Sequence, residues 1–412
     1  MPSNHKIHRQ AKPLQCQLQG SGWNALVRSK LEELIRNGSG RRLPVVFDFD
    51  NTIICGDVSD VTIAVLAKSG LVTADRLPQT FSPPFRAPGK PRITLESCAD
   101  ITEYYDAFLA PNLDGKPDPL LIANGYVWAV EVMEGLSPLD VVQATRTACE
   151  GIESAEQVFI ELTSRKTAYP VPFFYPEIVE LIAELLRHQF DIWLVSAGNV
   201  WSMRWMVLEL LNPKLRRLGA RKGLRSDHLL GVSTLLADRE DRLYRDAALV
   251  RQHPGYAALD KRALASFRLT SRLDFPVPTY TGKLACVFDA IGQKPYLCVG
   301  DSSGDHSMMA ISQHRLWIAR LERPDQQRAT LDFVRLRGGT GWMVQPTLTR
   351  KAPGFVPQLS RISGRLGRVP PEVNASRRIL TRLSSILSQA RNGQLEPDWM
   401  GTSRHFDPVG KK

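Results

Sequence analysis

Asp48 and Asp50 stand two residues apart in LPVVFDFDNT (43–52), and a second acidic pair, Asp301 and Asp305, stands in GDSSGD (300–305). Between them along the chain lie Ser196 of VSAG and Lys283 of TGK. Together these are the parts that phosphoryl transfer needs: a carboxylate nucleophile, an acid/base, anions to hold a hard cation, and donors for the phosphate oxygens. Two carboxylates as close as Asp48 and Asp50 repel each other unless a cation stands beside them. Magnesium, which takes oxygen ligands and keeps several waters, suits that place.

For these groups to meet, the elements that carry them must end at one edge. LPVVF (43–47) is a short, apolar, β-rich run that stops at the acids, which reads as a buried strand. FDIWLVS (190–196) and PYLCVGD (295–301) have the same form and end in Ser196 and Asp301, and RLWIA (315–319) reads as a fourth strand. Tyr175-Pro176 opens an amphipathic helix with Ile178, Leu181, Ile182, Leu185 and Leu186 on one face. Further helices are expected at Trp23 to Arg36, 99–110, 118–134, 137–150 and 200–211, and from near Lys283. A hairpin is expected near 229–245, followed by an irregular basic stretch to 275. Strands alternating with helices predict a Rossmann-like, doubly wound parallel α/β sheet, whose site lies outside the carboxyl ends of the strands.

DFDNT (48–52), Ser196 of VSAG, Lys283 of TGK and GDSSGD (300–305), in that order and in those contexts, resemble the four motifs of the haloacid dehalogenase (HAD) superfamily of aspartate-nucleophile phosphatases. Within it the chain is similar to the phosphoserine phosphatase-like branch and to phosphorylcholine phosphatases, chiefly through YPEIVELIAELLRHQFDIWLVSAGN (175–199). The resemblance implies that Asp48 attacks phosphorus to form an aspartyl-phosphate. It implies that Asp50 protonates the leaving oxygen and then deprotonates water. It places Mg2+ on Asp48, the backbone carbonyl of Asp50, and Asp301, with Asp305 in support. Ser196 and Lys283 would hold phosphate oxygens, with backbone N–H groups at Phe49 and Ala197 beside them. Thr52 would orient Asp48 or Asp50. True dehalogenases lack an acid where Asp50 stands, so the expected substrate is a small phosphate monoester, phosphocholine- or phosphoserine-like. A phosphotransferase to an alcohol acceptor and a non-catalytic binding protein on the same scaffold are the alternatives.

The same likeness predicts a HAD core from 41–56 and 176–345, with 57–175 inserted as a mainly α-helical cap. The insertion holds a proline-rich segment (75–98) and the aromatics Tyr104, Tyr105, Phe108, Tyr126, Trp128, Phe173, Phe174 and Tyr175. Aromatics at helical spacing read first as core, and second as a cage for a quaternary ammonium. Asn199 reads as a turn or capping residue, Asp57 and Asp60 as solvated hinge residues, and His306 as incidental, since Asp50 already fills the acid/base role.

The net charge of +11 on 412 residues belongs to the ends. Residues 1–42 carry eight Lys/Arg against two Asp/Glu, and 346–412 carry twelve against four, which leaves the body slightly acidic. No nucleic-acid partner is therefore expected for the core. The ends read as an N-terminal extension with one helix (1–40) and a basic, partly disordered tail (346–412) in which Ile379, Leu380, Leu383, Ile386 and Leu387 line one helical face. These ends could touch an acidic partner. No apolar run long enough for a membrane span and no secretory leader are read. The six cysteines are scattered without zinc or redox spacing, which fits free thiols in the cytoplasm.

Overall fold

The computed structural model describes residues 16–73, 85–86, 92–98, 101–105, 125–151, 159–161 and 168–391. Most of the proline-rich segment, the ends of the expected 99–110 helix, Phe108, and the expected structure at 1–15, 118–124 and 392–412 lie outside these residues.

The apolar run before the first acids forms strand β1, Pro44–Phe47, buried throughout because it lies inside the sheet. The other strands of that sheet are β2 (Asp191–Asn199), β3 (Leu229–Val232), β4 (Leu297–Gly300), β5 (His314–Arg320), β6 (Trp342–Leu348) and β7 (Gly354–Phe355). Their order is β7-β6-β5-β4-β1-β2-β3. All neighbours are parallel except β6 and β7. The fold is thus α/β with a mostly parallel central sheet. Register then does the positioning. Phe47 sits beside Val299 on one side and Leu194 on the other, so Asp48, Ser196 and Asp301 come within about one residue of level at one edge, although β2 itself runs on to Asn199.

The helix Pro176–Arg187 follows the expected pattern, with Ile178, Leu181, Ile182 and Leu185 buried. The N-terminal helix runs Ala25–Gly38 rather than from Trp23, because the Asn24 side chain caps it by accepting from Leu26 N (3.1 Å) and Val27 N (3.3 Å). Trp23 instead packs edge-on against Phe355, with ring centroids 5.2 Å apart. The expected 200–211 helix divides into Val200–Trp205 and a wider π-helical turn, Met206–Leu211.

Two stretches differ from expectation. Leu229–Val232 is not half of a hairpin but the edge strand β3, parallel to β2. The hairpin is Thr234–Ala237 with Leu243–Tyr244, and Arg268–Leu273, within the stretch expected to be irregular, completes a three-stranded sheet. Nor is 346–391 a loose tail. It holds the end of β6, β7 and the helix Pro371–Arg391, which lies on the helix Pro324–Arg337. Leu380, Leu383 and Leu387 are buried there, because a basic sequence with an apolar face still gains by covering that face.

The inserted segment is joined to the sheet by a two-stranded neck in which Ile54–Cys55 pairs antiparallel with Phe173–Phe174. Its described helices include Val58–Lys68, Gly125–Glu131 and Pro138–Cys149, beside helical residues 101–105 and two short strand pairs. Thr62, Thr145 and Ser202 close a buried ring of hydroxyls at 2.6–3.1 Å, tying the first and last of these helices to the helix Val200–Trp205.

Candidate active site

After β1 the chain leaves the sheet abruptly. Asp48 N donates to Val299 O (2.9 Å), and then Thr52, Ile53 and Ile54 all turn their N–H groups on Phe49 O. Asn51 takes a positive φ of 56° in this turn. Phe49 is buried in the core, while Asp48 and Asp50 project into the cavity at the end of the sheet.

Each carboxylate is held by both oxygens. Asp48 Oδ1 accepts from Lys283 Nζ (2.6 Å) and Oδ2 from Thr52 Oγ1 (2.8 Å). Asp50 Oδ2 accepts from Ser196 Oγ (3.0 Å) and Oδ1 from Val58 N (2.9 Å), the first residue of an inserted helix. Asp50 therefore touches both the sheet and the insertion. Ser196 Oγ in turn accepts from Gly198 N (3.0 Å). A Cβ on Gly198 would come within 2.8 Å of Asp50 Oδ2 and 2.9 Å of Ser59 Oγ. Gly198→Ala is thus expected to displace the Asp50 carboxylate, and any turnover that uses Asp50 should fall about 100-fold in kcat at near-normal Tm, the effect that a small misplacement of a reacting group has. Kinetics beside a thermal melt check this, and an unchanged kcat would show that Asp50 needs no such placement.

Lys283, in the first turn of the helix Thr281–Ala290, reaches Asp305 Oδ1 as well as Asp48, both at 2.6 Å. Asp305 spends its other oxygen on the turn after β4, accepting from Asp301 N and Ser302 N at 3.0 Å. Asp301 meets Arg320 at the end of β5: Nε and Oδ2 are 2.5 Å apart, an ion pair without hydrogen-bond alignment. The walls of the cavity, about 70 Å³, include Asp48, Asp50, Asp57, Tyr126, Ala197, Gly198, Tyr280, Lys283, Asp301 and Arg320. That is room for a few waters or one phosphate-sized group.

Asp48, Asp50, Asp301 and Asp305 thus face two cations, Lys283 and Arg320. Oxygens of Asp48, Asp301 and Asp305 lie within 4.8 Å of one another, all buried. The excess negative charge and the clustered oxygen donors fit a divalent hard cation.

The titration of the site reflects the same imbalance. Burial, then the charge of Asp305, raises Asp48 to about 8, against the pull of Lys283. Burial and then Asp57 raise Asp50 well above the carboxylate range. Burial pushes the Lys283 ammonium down, but the charges of Asp305 and Asp48 outweigh it and raise its pKa. In the metal-free protein the folded state holds the Asp48 proton between the ordinary 3.8 and about 8, whereas the unfolded state has released it. Stability should therefore fall as pH rises through that window, by on the order of a few kcal/mol. Melts of wild type against Asp48→Asn across the window isolate this part. A constant difference between the two would contradict the raised Asp48 pKa.

Of the other residues singled out in the sequence, Thr52 serves Asp48 and also approaches Asp301 Oδ1 (3.3 Å). Ala197 lines the cavity. Asn199 is a cap, accepting from Ser202 N (2.8 Å). His306 stacks on Phe333, with centroids 4.5 Å apart, and bonds Thr330 Oγ1 (3.1 Å) outside the cavity walls. Asp57 and Asp60 are not free hinge residues. Asp57 caps the helix Val58–Lys68 and lines the cavity, and Asp60 accepts from Tyr105 OH (3.1 Å). Tyr104 and Tyr105 pack on Trp128 as core, whereas Tyr126 reaches the cavity.

Arg320, Tyr280 and Gln326 are among the cavity residues that sequence reading passed over, and Tyr126 was singled out only as a core or cage aromatic. Arg320 alone carried a signal, being the residue just past RLWIA at a strand's carboxyl end.

No family model and no curated protein matches the chain. Among solved structures, a conserved protein of unknown function from Anaerococcus prevotii aligns over 84% of this chain and 98% of its own, with 15% identity and a TM-score of 0.53. A substrate-bound phosphoserine phosphatase complex aligns over 70% and 90%, with 13% identity and a TM-score of 0.34. The first likeness is one of fold, and the second is looser still.

Proposed function

We propose that this chain hydrolyses a small phosphate monoester in the manner of the HAD phosphatases, with Mg2+ as cofactor. The observation that carries the reading is that Asp48, Asp50, Lys283 and Asp301 line one small cavity at the carboxyl edge of a parallel sheet, with Ser196 hydrogen-bonded to Asp50. Asp48 is the nucleophile: its Oδ attacks phosphorus and the ester oxygen leaves, giving an aspartyl-phosphate. Asp50 gives the leaving oxygen its proton and then takes one from the water that releases phosphate. Its raised pKa keeps a proton available for the first of these steps. Ser196 and Lys283 hold phosphate oxygens. Asp48, Asp301 and the Asp50 carbonyl would hold the ion, which when bound would supply charge neutralisation at the transferring phosphoryl group.

The body of the enzyme is 41–56 with 176–345, extended by 346–391, and 57–175 is its cap. Tyr126 from the cap and Tyr280 and Arg320 from the body line the cavity and would meet the leaving group on this reading. A phosphocholine- or phosphoserine-like ester is the substrate that the sequence resemblance suggests, and the cavity has room for its phosphate group.

Phosphate release from phosphocholine, phosphoserine, sugar phosphates and nucleotides, with and without Mg2+, tests the reading. Magnesium-dependent release supports it, and adding a competing alcohol separates hydrolysis from transfer. A folded, Mg2+-loaded protein that released phosphate from none of these would argue for a binding role instead.

A further inference from the structure

A second group of buried ligand-type side chains lies at the opposite end of the sheet from the catalytic cavity. Glu184 and His188 lie one helical turn apart at the end of the helix Pro176–Arg187, just before β2 begins. The N-terminal segment brings Cys16 against them. No spacing in the sequence links these residues, and the cysteines alone point to no metal, yet Cys16 Sγ, a Glu184 oxygen and a His188 ring nitrogen all lie within 4.8 Å of one another. Their exposures are 5%, 6% and 2%.

His188 Nε2 is buried with no hydrogen-bond partner, and Glu184 Oε2, also buried and without an aligned hydrogen bond, belongs to a carboxylate whose polar neighbours include the Cys16 thiol. A buried polar atom left unpaired costs stability unless something satisfies it. Glu184 Oε2 and His188 Nε2 stand 3.7 Å apart, too far for a hydrogen bond. It is close to the separation of two ligands on one tetrahedral cation, roughly 3.4 Å for bonds of about 2.0–2.2 Å. The other atoms of the two side chains are already committed. Arg187 pairs with Glu184 Oε1, and His188 Nδ1 lies 2.9 Å from Ser39 Oγ. An imidazole fixed through one nitrogen while the other faces the site is the arrangement that orients histidine ligands.

We infer that Cys16, Glu184 and His188 form a binding site for a zinc-type divalent cation, separate from the catalytic carboxylates. Thiolate, imidazole and a monodentate carboxylate make three ligands, with a fourth position left for water. On binding, the Cys16 thiol gives its proton to solvent and the thiolate bonds the metal. The bound ion clamps residue 16 to the end of the helix Pro176–Arg187, and through Ser39 to the end of the helix Ala25–Gly38. It thereby fastens the N-terminal segment to the body.

The test is titration of the full-length, reduced, metal-stripped chain with Co2+ and then Zn2+, with Mg2+ present in excess to occupy the carboxylate site. Thiolate-bound cobalt has a charge-transfer absorption that oxygen ligands cannot produce. One equivalent with that absorption is expected, displaced by Zn2+. Cys16→Ser should lose it entirely, and Ser39→Ala should weaken Zn2+ binding about 10-fold, as loss of an orienting hydrogen bond does. His188→Gln gives a second reading should Cys16→Ser misfold, and it should weaken binding at least as much as Ser39→Ala. A folded wild-type chain with no thiolate absorption would overturn the site, as would an absorption that survives in Cys16→Ser or is unchanged in His188→Gln.

Discussion

On the proposed mechanism, Asp48→Asn is expected to lower kcat by ~10⁴-fold or more and to leave the protein folded, because no nearby group can replace the proposed nucleophile. The substitution is close to isosteric, and the surroundings can adapt to it. The asparagine carbonyl can still accept from Lys283 Nζ, now 2.6 Å from Asp48 Oδ1. Its NH₂ then falls where Oδ2 accepts from Thr52 Oγ1, and that hydroxyl can rotate to accept instead. The change also removes one of four clustered negative charges, so the metal-free variant should melt no lower than wild type at pH 8. Steady-state kinetics with the preferred ester, beside melts with and without Mg2+, check both statements. Wild-type turnover in the variant would place the nucleophile elsewhere. A collapse of stability would mean that Asp48 is there to balance Lys283 rather than to react. Asp50→Asn separates the second role: a good leaving group should restore much of its lost rate, since such a group departs without a proton.

The parts of the fold that could be read in advance are those where one physical signal acts alone. β1 and β4 are buried throughout, so their sequences are plain apolar runs. Their ends carry the motifs, so spacing alone pointed to acids that the structure brings to one cavity. β6 was not legible, because Gln345 and Pro346 interrupt it. Gln345 is nonetheless fully buried. Its side chain accepts from Asn24 N (2.8 Å) and donates to Gly22 O (3.2 Å), satisfying backbone of the N-terminal segment from inside the sheet. A polar residue whose partner lies some 320 positions away reads locally as a strand breaker. Arg320 was hidden for a related reason. Charge at a strand end normally means solvent, and only the register of β4 against β5 shows that it meets Asp301. The tail at 346–391 misled because its composition is basic while its apolar face is narrow, and composition does not reveal that Pro324–Arg337 offers a surface to cover it.

Lys283→Met tests the electrostatic side of the site, where stability and activity are tied to one atom. Lys283 Nζ sits 2.6 Å from both Asp48 Oδ1 and Asp305 Oδ1, and the side chain is only 3% exposed. Methionine fills a similar volume but leaves two buried carboxylates facing each other with no cation between them. Removing one partner of a buried ion pair costs about 3–5 kcal/mol, most of it the penalty of the charge left behind. That cost is present only while the carboxylates are ionised. Protonating one of them relieves it, so the metal-free variant should be least stable relative to wild type at high pH and approach it as pH falls. Mg2+ should recover part of the loss by supplying positive charge at the same carboxylates. It should not recover the rate, expected to fall about 10²–10³-fold, because the ammonium's place on the transferring phosphoryl group stays empty. Lys283→Arg should rescue neither: a planar guanidinium cannot put one nitrogen 2.6 Å from both acids in a space cut for a single ammonium. The double variant Lys283→Met with Asp48→Asn should regain stability over Lys283→Met alone, by roughly 0.5–3 kcal/mol of coupling, while remaining inactive. Urea melts from pH 5 to pH 8 measure these differences. A Lys283→Met protein as stable as wild type at pH 8 without metal would show that the carboxylates are already protonated there, and the pairing of Lys283 with Asp48 would then not govern the site.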